Sequence, residues 1–286
     1  MTLDLGVLLL VLAAAVMHAG WNVVVKAGAD RVVVTTLVMA VQAPPCALAL
    51  VFLPALQPEA WPYVLLSAAV HWLYYAALIG AYRHGDLSQV YPIARGAAPL
   101  LVALEAWALA GESLSPVEWL GLLILSAGIM SLALRRRGIW LAGELQALGF
   151  ALLTAATIAV YLIVDALGGR ASGNALTYIC WLFVLEGVPF LLLTFWLRRG
   201  RIVAAFRPNL VRGGLGGVIA GLSYGITIWA MSVAPVAHVV AVRETNVLFG
   251  AAFGALLLKE PFGRFRIGAA AVVVTGAVLL NVNVEV

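Results

Sequence analysis

Long apolar stretches follow one another along the sequence with short polar connections between them. Each stretch has about 20 residues, enough for an α-helix to cross a hydrocarbon layer of about 30 Å. Apolar and polar positions do not alternate as they do in the strands of a membrane barrel. We predict an all-α integral membrane protein with ten transmembrane helices, called segments 1 to 10. Their approximate bounds are 4–25, 32–53, 61–82, 88–109, 117–134, 142–164, 174–197, 211–232, 236–258 and 262–281.

The composition agrees with this pattern and excludes other classes of protein. Of the 286 residues, 64% are hydrophobic and only 10% are charged. Soluble domains have roughly 45–50% apolar and about 25% charged residues, so a water-soluble enzyme and a disordered chain are both excluded. The net charge of +4 comes without a patch of basic and aromatic residues, so we expect no nucleic-acid partner. Cys46 and Cys180 lie inside apolar segments, where we expect small core residues and neither a structural disulfide nor a metal site.

Lys and Arg residues are distributed unevenly among the connections. Fourteen of the 17 lie in the connections that follow segments 1, 3, 5, 7 and 9. The other connections contain only Arg170. Because Lys and Arg are retained on the cytoplasmic side of a membrane, we predict that both termini lie on the outer side.

The sequence also contains an internal repeat. A gap-free alignment of the ends of its two halves places Arg95 on Arg243. The alignment predicts two five-helix repeats, residues 1–138 and 139–286. Five is an odd number, so the second repeat enters the membrane from the opposite side. Inverted repeats are typical of secondary transporters, which bind their substrate in a central cavity near the bilayer midplane.

Several motifs resemble those of a known family. They are HAGWNVVVK in segment 1, YPIARGAAPLL in segment 4, GE at the end of segment 4, and APVAHVVAVRETNVLFGAAFGALLLKEPFG in and after segment 9. Together they resemble EamA-type members of the drug/metabolite transporter superfamily. The resemblance implies a ten-helix basket whose cavity is lined by segments 1, 3, 4, 6, 8 and 9. It also implies transport of small metabolites such as amino acids, amines or sugars, frequently outward.

Polar and aromatic residues at helical spacing form stripes along these same six segments. For a single Ser or Thr, a hydrogen bond to its own helix is the simpler interpretation, and for a tyrosine it is ordinary packing. The candidate substrate-binding residues are His18, Trp21, Asn22, His71, Tyr74, Tyr75, Tyr91, Arg95, Tyr161, Tyr224, Thr227, Arg243 and Asn246.

Arg95 and Arg243 are the most informative members of this set. An arginine inside a membrane span costs at least about 2.5–3.5 kcal/mol, so it must be paired or functional. One hypothesis is that one or both bind an anionic substrate group through two parallel hydrogen bonds. The alternative is an internal ion pair, either of Arg95 with Glu105 or a backbone carbonyl, or of Arg243 with Glu244 or Glu186.

Protons offer a further role for polar residues in the spans. Glu186, Glu244 and Glu105 are candidates for proton coupling or ion pairing, and Glu186 in particular for either. His18, His71 and His238 carry protons if transport is proton-coupled, and are otherwise hydrogen-bonded cavity residues. They lie on different segments without a close ligand pair, so we expect no metal site.

We therefore predict a secondary transporter that moves a small polar metabolite, with an anionic group, across the cell membrane (a bacterial inner membrane) by alternating access. It would work as an exporter or exchanger. The alternative is a flippase for a lipid or lipid precursor on the same scaffold. No nucleophile, base and orienting group stand together in a motif, and no ATP-binding loop is present, so we expect neither an enzyme nor a cofactor. The expected partners are the substrate, membrane lipids and, through the apolar faces of segments 5 and 10, a second copy of the chain.

Overall fold

The computed structural model describes residues 3–26, 31–84, 87–133, 142–198, 206–257 and 264–281. These residues are nearly all helical. Two short 3₁₀ turns, Pro58–Ala60 and Arg207–Asn209, each lead directly into an α-helix. The α-helices are α1 (Leu5–Lys26), α2 (Arg31–Ala49), α3 (Trp61–His84), α4 (Leu87–Ala110), α5 (Pro116–Ser131), α6 (Ala142–Ala171), α7 (Ala175–Arg198), α8 (Leu210–Val233), α9 (Val236–Glu244), α10 (Asn246–Leu257) and α11 (Arg264–Asn281).

Several of the helices have the length and composition of membrane spans. Among the described residues, six stretches qualify: Leu5–Val24, Val90–Ala110, Leu145–Ala171, Ala175–Trp196, Arg207–Val233 and Val236–Phe253. Three shorter helices are also apolar: Thr36–Ala49, Pro116–Ser131 and Ile267–Asn281. α3 is 24 residues long, but its Trp, Tyr and His residues make it less apolar. A crossing by all ten segments therefore stays a prediction.

The structure differs from the predicted bounds at two places near the centre of the molecule. Segment 9 is not one helix but two, because α9 ends at Glu244 and α10 begins at Asn246. α6 continues to Ala171, beyond the predicted end at residue 164. The sequence pattern stopped there because Asp165 is charged. The helix continues because this carboxylate is fully enclosed and hydrogen-bonded within the protein.

The helix contacts between the two halves are symmetric: each contact has an equivalent in which every helix is replaced by its counterpart in the other repeat. α2 packs against α7 and α5 packs against α11, so each of these helices meets its own counterpart. α1 packs against α8, and the equivalent contact is made between α3 and α6. Two related five-helix units around a common two-fold axis produce this set of contacts.

The α5–α11 pair runs antiparallel and in very close contact. A β-carbon on Gly121 would lie 2.7 Å from the amide nitrogen of Leu280, and one on Gly128 would lie 3.1 Å from that of Val273. Residue numbers therefore rise along α5 as they fall along α11. A two-fold axis along the membrane normal would make the two helices parallel, so the antiparallel contact is the one that an inverted repeat requires.

The apolar interior lies between α3, α6, α7 and α8. Leu162, Leu182 and Ile228 are completely enclosed there. Large apolar side chains also cover the outside, and Leu215 and Leu222 of α8 are exposed. An exposed apolar surface of this kind is suited to contact with lipid tails rather than water.

Candidate functional site

Two arginines lie in the interior of the helix bundle. Arg95 is in α4 and Arg243 is near the end of α9, and the two residues are only 5% and 3% exposed. A guanidinium stays charged in proteins. Each therefore needs an anion, a carbonyl or an aromatic face inside the protein to offset the loss of water.

The interruption between α9 and α10 lies directly beside Arg243. The Thr245 hydroxyl donates a hydrogen bond to the Val242 carbonyl at 2.6 Å, and the Asn246 amide donates to the Arg243 carbonyl at 2.8 Å. In a continuous helix these two carbonyls would accept hydrogen bonds from backbone amides four residues later. Here the Thr245 and Asn246 side chains bond to them. Interrupted helices next to charged groups are typical of transporter binding sites.

Arg95 forms an ion pair with Glu244 of α9. The Arg95 Nη2 and Glu244 Oε1 atoms are 3.1 Å apart, and the two side chains are 6% and 0% exposed. The sequence offered Glu105 as a partner for Arg95, and Glu244 or Glu186 for Arg243. The structure instead places Glu244 against Arg95. Glu105 lies farther along α4, half-buried, and its Oε2 atom has no hydrogen-bond partner in the described ranges.

Arg243 contacts an aromatic face instead of a carboxylate at ion-pair distance. Its guanidinium carbon lies 5.3 Å from the centre of the Tyr224 ring, a favourable cation–π arrangement. Its Nε and Nη1 atoms are buried and have no hydrogen-bond partner among the described residues. Arg95 makes a looser contact of the same kind, 5.9 Å from the centre of the Tyr91 ring. Arg243 therefore retains unused hydrogen-bond donors in the interior.

Aromatic rings from three helices surround this position. The His71 ring stacks on Tyr161 with their centres 4.1 Å apart. Tyr74 and Tyr224 meet Tyr161 edge-on at 5.8 and 6.0 Å. Tyr75 packs edge-on against Tyr74 at 5.0 Å. The tyrosines that the sequence analysis picked from α3, α6 and α8 thus form one continuous group.

Two acidic residues extend the group. Asp165 of α6 accepts a hydrogen bond of 2.9 Å from the Tyr178 hydroxyl and another from the Tyr224 hydroxyl. Glu186 of α7 lies against His71, with Oε1 and Nδ1 2.9 Å apart. Tyr224 therefore joins Asp165, at its hydroxyl, to Arg243, on its ring face.

Comparison with known proteins places the chain in a family. A family model, described as the EamA-like transporter family, matches residues 5–134 and again residues 145–282. The chain belongs to the EamA-like transporter family. This makes the protein a multi-pass membrane transporter of the drug/metabolite transporter superfamily.

A solved crystal structure resembles this EamA-like transporter over nearly its whole length. The TM-score is 0.73, and the match covers 96% of this chain and 97% of the other at 20% sequence identity. At that identity, the likeness shows the fold alone. No curated protein matches the sequence.

The remaining predicted lining residues are bonded locally in the EamA-like structure. The Trp21 indole donates to His18 Nδ1 at 3.3 Å, and the Asn22 amide donates to the His18 carbonyl at 2.7 Å. The Thr227 hydroxyl donates to the Ser223 carbonyl at 2.8 Å. These bonds are the intrahelical alternative that the sequence analysis left open. His18 nevertheless lies within electrostatic range of both buried arginines.

Sequence reasoning did not single out Asp165 and Tyr178 as site residues. The helical spacing did place Asp165 on the polar face of segment 6 together with Tyr161, but we did not count it among the candidate site residues. His238 lies away from the arginines, where its Nε2 is 3.0 Å from Oε1 of Glu118. Within the described ranges, no three His, Cys, Asp or Glu residues lie close enough to hold a metal ion.

Proposed function

We propose that this protein is a secondary transporter for a small polar metabolite with an anionic group, such as an amino acid, an organic acid, or a phosphate or phosphonate compound. It works by alternating access, as an exporter or exchanger. The observation that carries the proposal is Arg243, which is 3% exposed while its Nε and Nη1 atoms have no hydrogen-bond partner within the part of the chain that the structure describes. Buried donors without partners are costly, so a ligand that accepts from them is strongly favoured.

The charges near Arg243 favour an anion as its ligand. Two guanidiniums, Arg95 and Arg243, lie within electrostatic range of one buried carboxylate, Glu244. Arg95 is already 3.1 Å from Glu244, so Arg95, Arg243 and Glu244 together hold one positive charge more than they hold negative. The other buried acids nearby, Asp165 and Glu186, contact tyrosine hydroxyls and His71 instead. A carboxylate or phosphate fits the planar guanidinium through two parallel bonds and removes that excess.

The aromatic surroundings suit the rest of such a metabolite. Tyr224 lies under Arg243, and Tyr161 and Tyr74 continue the group toward α3. Aromatic faces accept apolar and flat parts of a ligand, and tyrosine hydroxyls add hydrogen bonds. We infer a substrate that combines an anionic group with a small apolar or polar body.

The distribution of Lys and Arg supports the proposed placement in the membrane. We propose a bacterial inner membrane, with the connections after segments 1, 3, 5, 7 and 9 in the cytoplasm and both termini outside. Arg243 then lies about 10 Å below the outer end of α9, seven residues at 1.5 Å each. A ligand at this depth can be released to either side, as alternating access requires.

A thermal-shift screen on the purified full-length protein tests the role of Arg243. The ligands are inorganic phosphate, methylphosphonate, acetate and L-amino acids, each with an uncharged or amine analogue. A true ligand at a hundred times its Kd stabilises the protein by about 2.7 kcal/mol. We expect this stabilisation in the wild type and in the control Arg207→Gln, which changes an exposed arginine. The stabilisation should disappear in Arg243→Gln. It should weaken in Arg243→Lys, which keeps the positive charge but loses the planar group that makes two parallel hydrogen bonds.

The same ligand should then cross the membrane of liposomes that contain the wild-type protein, and not liposomes that contain Arg243→Gln. An anion that stabilises Arg243→Gln as much as the wild type removes Arg243 from the substrate site. Stabilisation by amine analogues alone would reverse the proposed substrate charge.

A further inference from the structure

Arg170, the one basic residue that the sequence pattern leaves in an even-numbered connection, is bonded at the end of α6. Its Nη2 donates to Glu112 Oε1 at 2.7 Å and to the Ala234 carbonyl at 3.0 Å. Its Nε donates to the Met231 carbonyl at 3.2 Å. One guanidinium therefore joins the α4–α5 connection to the end of α8, and it satisfies carbonyls that the end of a helix leaves without partners.

Glu112 completes the same contact with its second oxygen. Oε2 accepts a hydrogen bond of 2.7 Å from the amide of Val236, the first residue of α9. Pro235, which precedes α9, gives the helix no side-chain cap. Glu112, from the first repeat, thus caps a helix of the second repeat and places a negative charge where the helix dipole favours one.

The contact lies at one end of the transporter and joins its two halves. Glu112 comes from the first repeat, whereas Arg170, Ala234 and Val236 come from the second. The connections joined here end α4 and begin α9, the helices that carry the two buried arginines. Separating them would open a route from this end to Arg243.

The strength of the contact is suited to one that breaks and re-forms. The Arg170 and Glu112 side chains are 30% and 17% exposed. Water at this end can replace their hydrogen bonds, so separating this pair costs far less than separating a fully buried one. A basic residue on the outer side also opposes the usual distribution of positive charge, and this set of bonds gives Arg170 a specific role there.

We propose that Arg170 and Glu112 form a latch that holds this end of the transporter closed, and that its release opens the path to the substrate site. The inference rests on the proposed alternating-access function. A purely structural cap would stabilise the fold without changing which end is open, and this difference makes the proposal testable.

The test uses reagent access to two reporter cysteines in the full-length protein. In a background without Cys46 and Cys180, Thr227→Cys reports on the latch end, about 9 Å below the end of α8. Asn22→Cys reports on the opposite end, about 6 Å from the end of α1. The protein is held in lipid nanodiscs, and a membrane-impermeant methanethiosulfonate reagent modifies the reporters.

Arg170→Gln and Glu112→Gln should each raise the modification rate of Thr227→Cys about tenfold and lower that of Asn22→Cys. A tenfold change corresponds to roughly 1.4 kcal/mol, within the range of a hydrogen bond to a charged group. Arg207→Gln, at the opposite end, should change neither rate. Arg170→Lys should give an intermediate result, because an ammonium cannot reach all three acceptors.

An unchanged rate at Thr227→Cys in the latch variants overturns the proposal. A rise at both reporters overturns it as well, because that outcome is general loosening. The assay needs no substrate, so the two proposals fail separately. If the two reporters change in opposite directions but no anion stabilises the protein through Arg243, the latch proposal is supported and the anionic-substrate proposal is wrong.

Discussion

The charge balance around Glu244 predicts an unequal response to removing either member of its ion pair. The wild-type group contains Arg95, Arg243 and Glu244, with a net charge of +1. Arg95→Met leaves Glu244 with the second arginine in electrostatic range. Glu244→Met leaves two buried guanidiniums and no carboxylate. We therefore expect Glu244→Met to be the more damaging change.

The burial of the pair sets the magnitude. Arg95 Nη2 and Glu244 Oε1 are 3.1 Å apart, with side chains 6% and 0% exposed. Breaking a buried pair costs roughly 3–5 kcal/mol, whereas replacing both partners by apolar residues is often neutral. At about 2–4 °C per kcal/mol for proteins of 150–250 residues, Glu244→Met should lower the Tm by roughly 10 °C. Arg95→Met should lower it by less, and the double variant should recover most of the loss.

Intrinsic tryptophan fluorescence of the purified protein in detergent measures these transitions. Glu59→Gln, at an exposed glutamate, is the control and should leave the Tm unchanged. The reasoning is refuted if Arg95→Met is at least as destabilising as Glu244→Met, or if the losses of the single variants simply add in the double variant.

Two further predictions test the packing of the repeats. Gly276→Ala should destabilise the protein by about 1–3 kcal/mol, because its β-carbon would lie 2.6 Å from the Gly121 carbonyl. Gly214→Ala, which meets nothing within 4 Å, should be neutral or slightly stabilising, and equal Tm values for the two variants would contradict the close α5–α11 contact. Cys46 and Cys180 lie near each other on the packed helices α2 and α7, so copper phenanthroline should oxidise them to an intramolecular disulfide. Maleimide labelling in denaturant before and after oxidation counts the free thiols, and two thiols that stay free would show that α2 and α7 do not pack in this register.

The sequence predicted helices and their ends well where the stabilising contact joins residues that are close along the chain. Ser115 and Glu118 have the spacing of a capping box at the start of α5, and the structure contains both bonds, from the Glu118 amide to Ser115 Oγ at 3.3 Å and from the Ser115 amide to Glu118 Oε2 at 2.6 Å. These groups are three residues apart, so the chain itself brings them together. The cost of placing Arg95 and Arg243 in an apolar segment likewise predicted that both face inward.

Contacts between distant parts of the chain were not predictable in this way. Glu244 was considered as a partner of its neighbour Arg243, but it pairs with Arg95, because its helix packs against α4. The side of α9 on which Glu244 emerges decides this, and sequence spacing does not give that rotation relative to α4. Asp165 lies on the polar face of segment 6 but was not among the candidate site residues, for a similar reason. Its partners, Tyr178 and Tyr224, come from two other helices.

The divergence of the two repeats explains why one arginine is left without a carboxylate. Arg95 and Arg243 are aligned in the repeats, but the residue aligned with Glu244 is Gly96. A β-carbon at Gly96 would lie 3.0 Å from the Ser126 carbonyl, so α4 is packed on α5 with no room for a carboxylate there. Two arginines therefore share one glutamate, and the excess positive charge is a consequence of how the first repeat packs. A bound anion would neutralise these three groups, because Asp165, the buried acid that Tyr224 links to Arg243, is already held by the Tyr178 and Tyr224 hydroxyls.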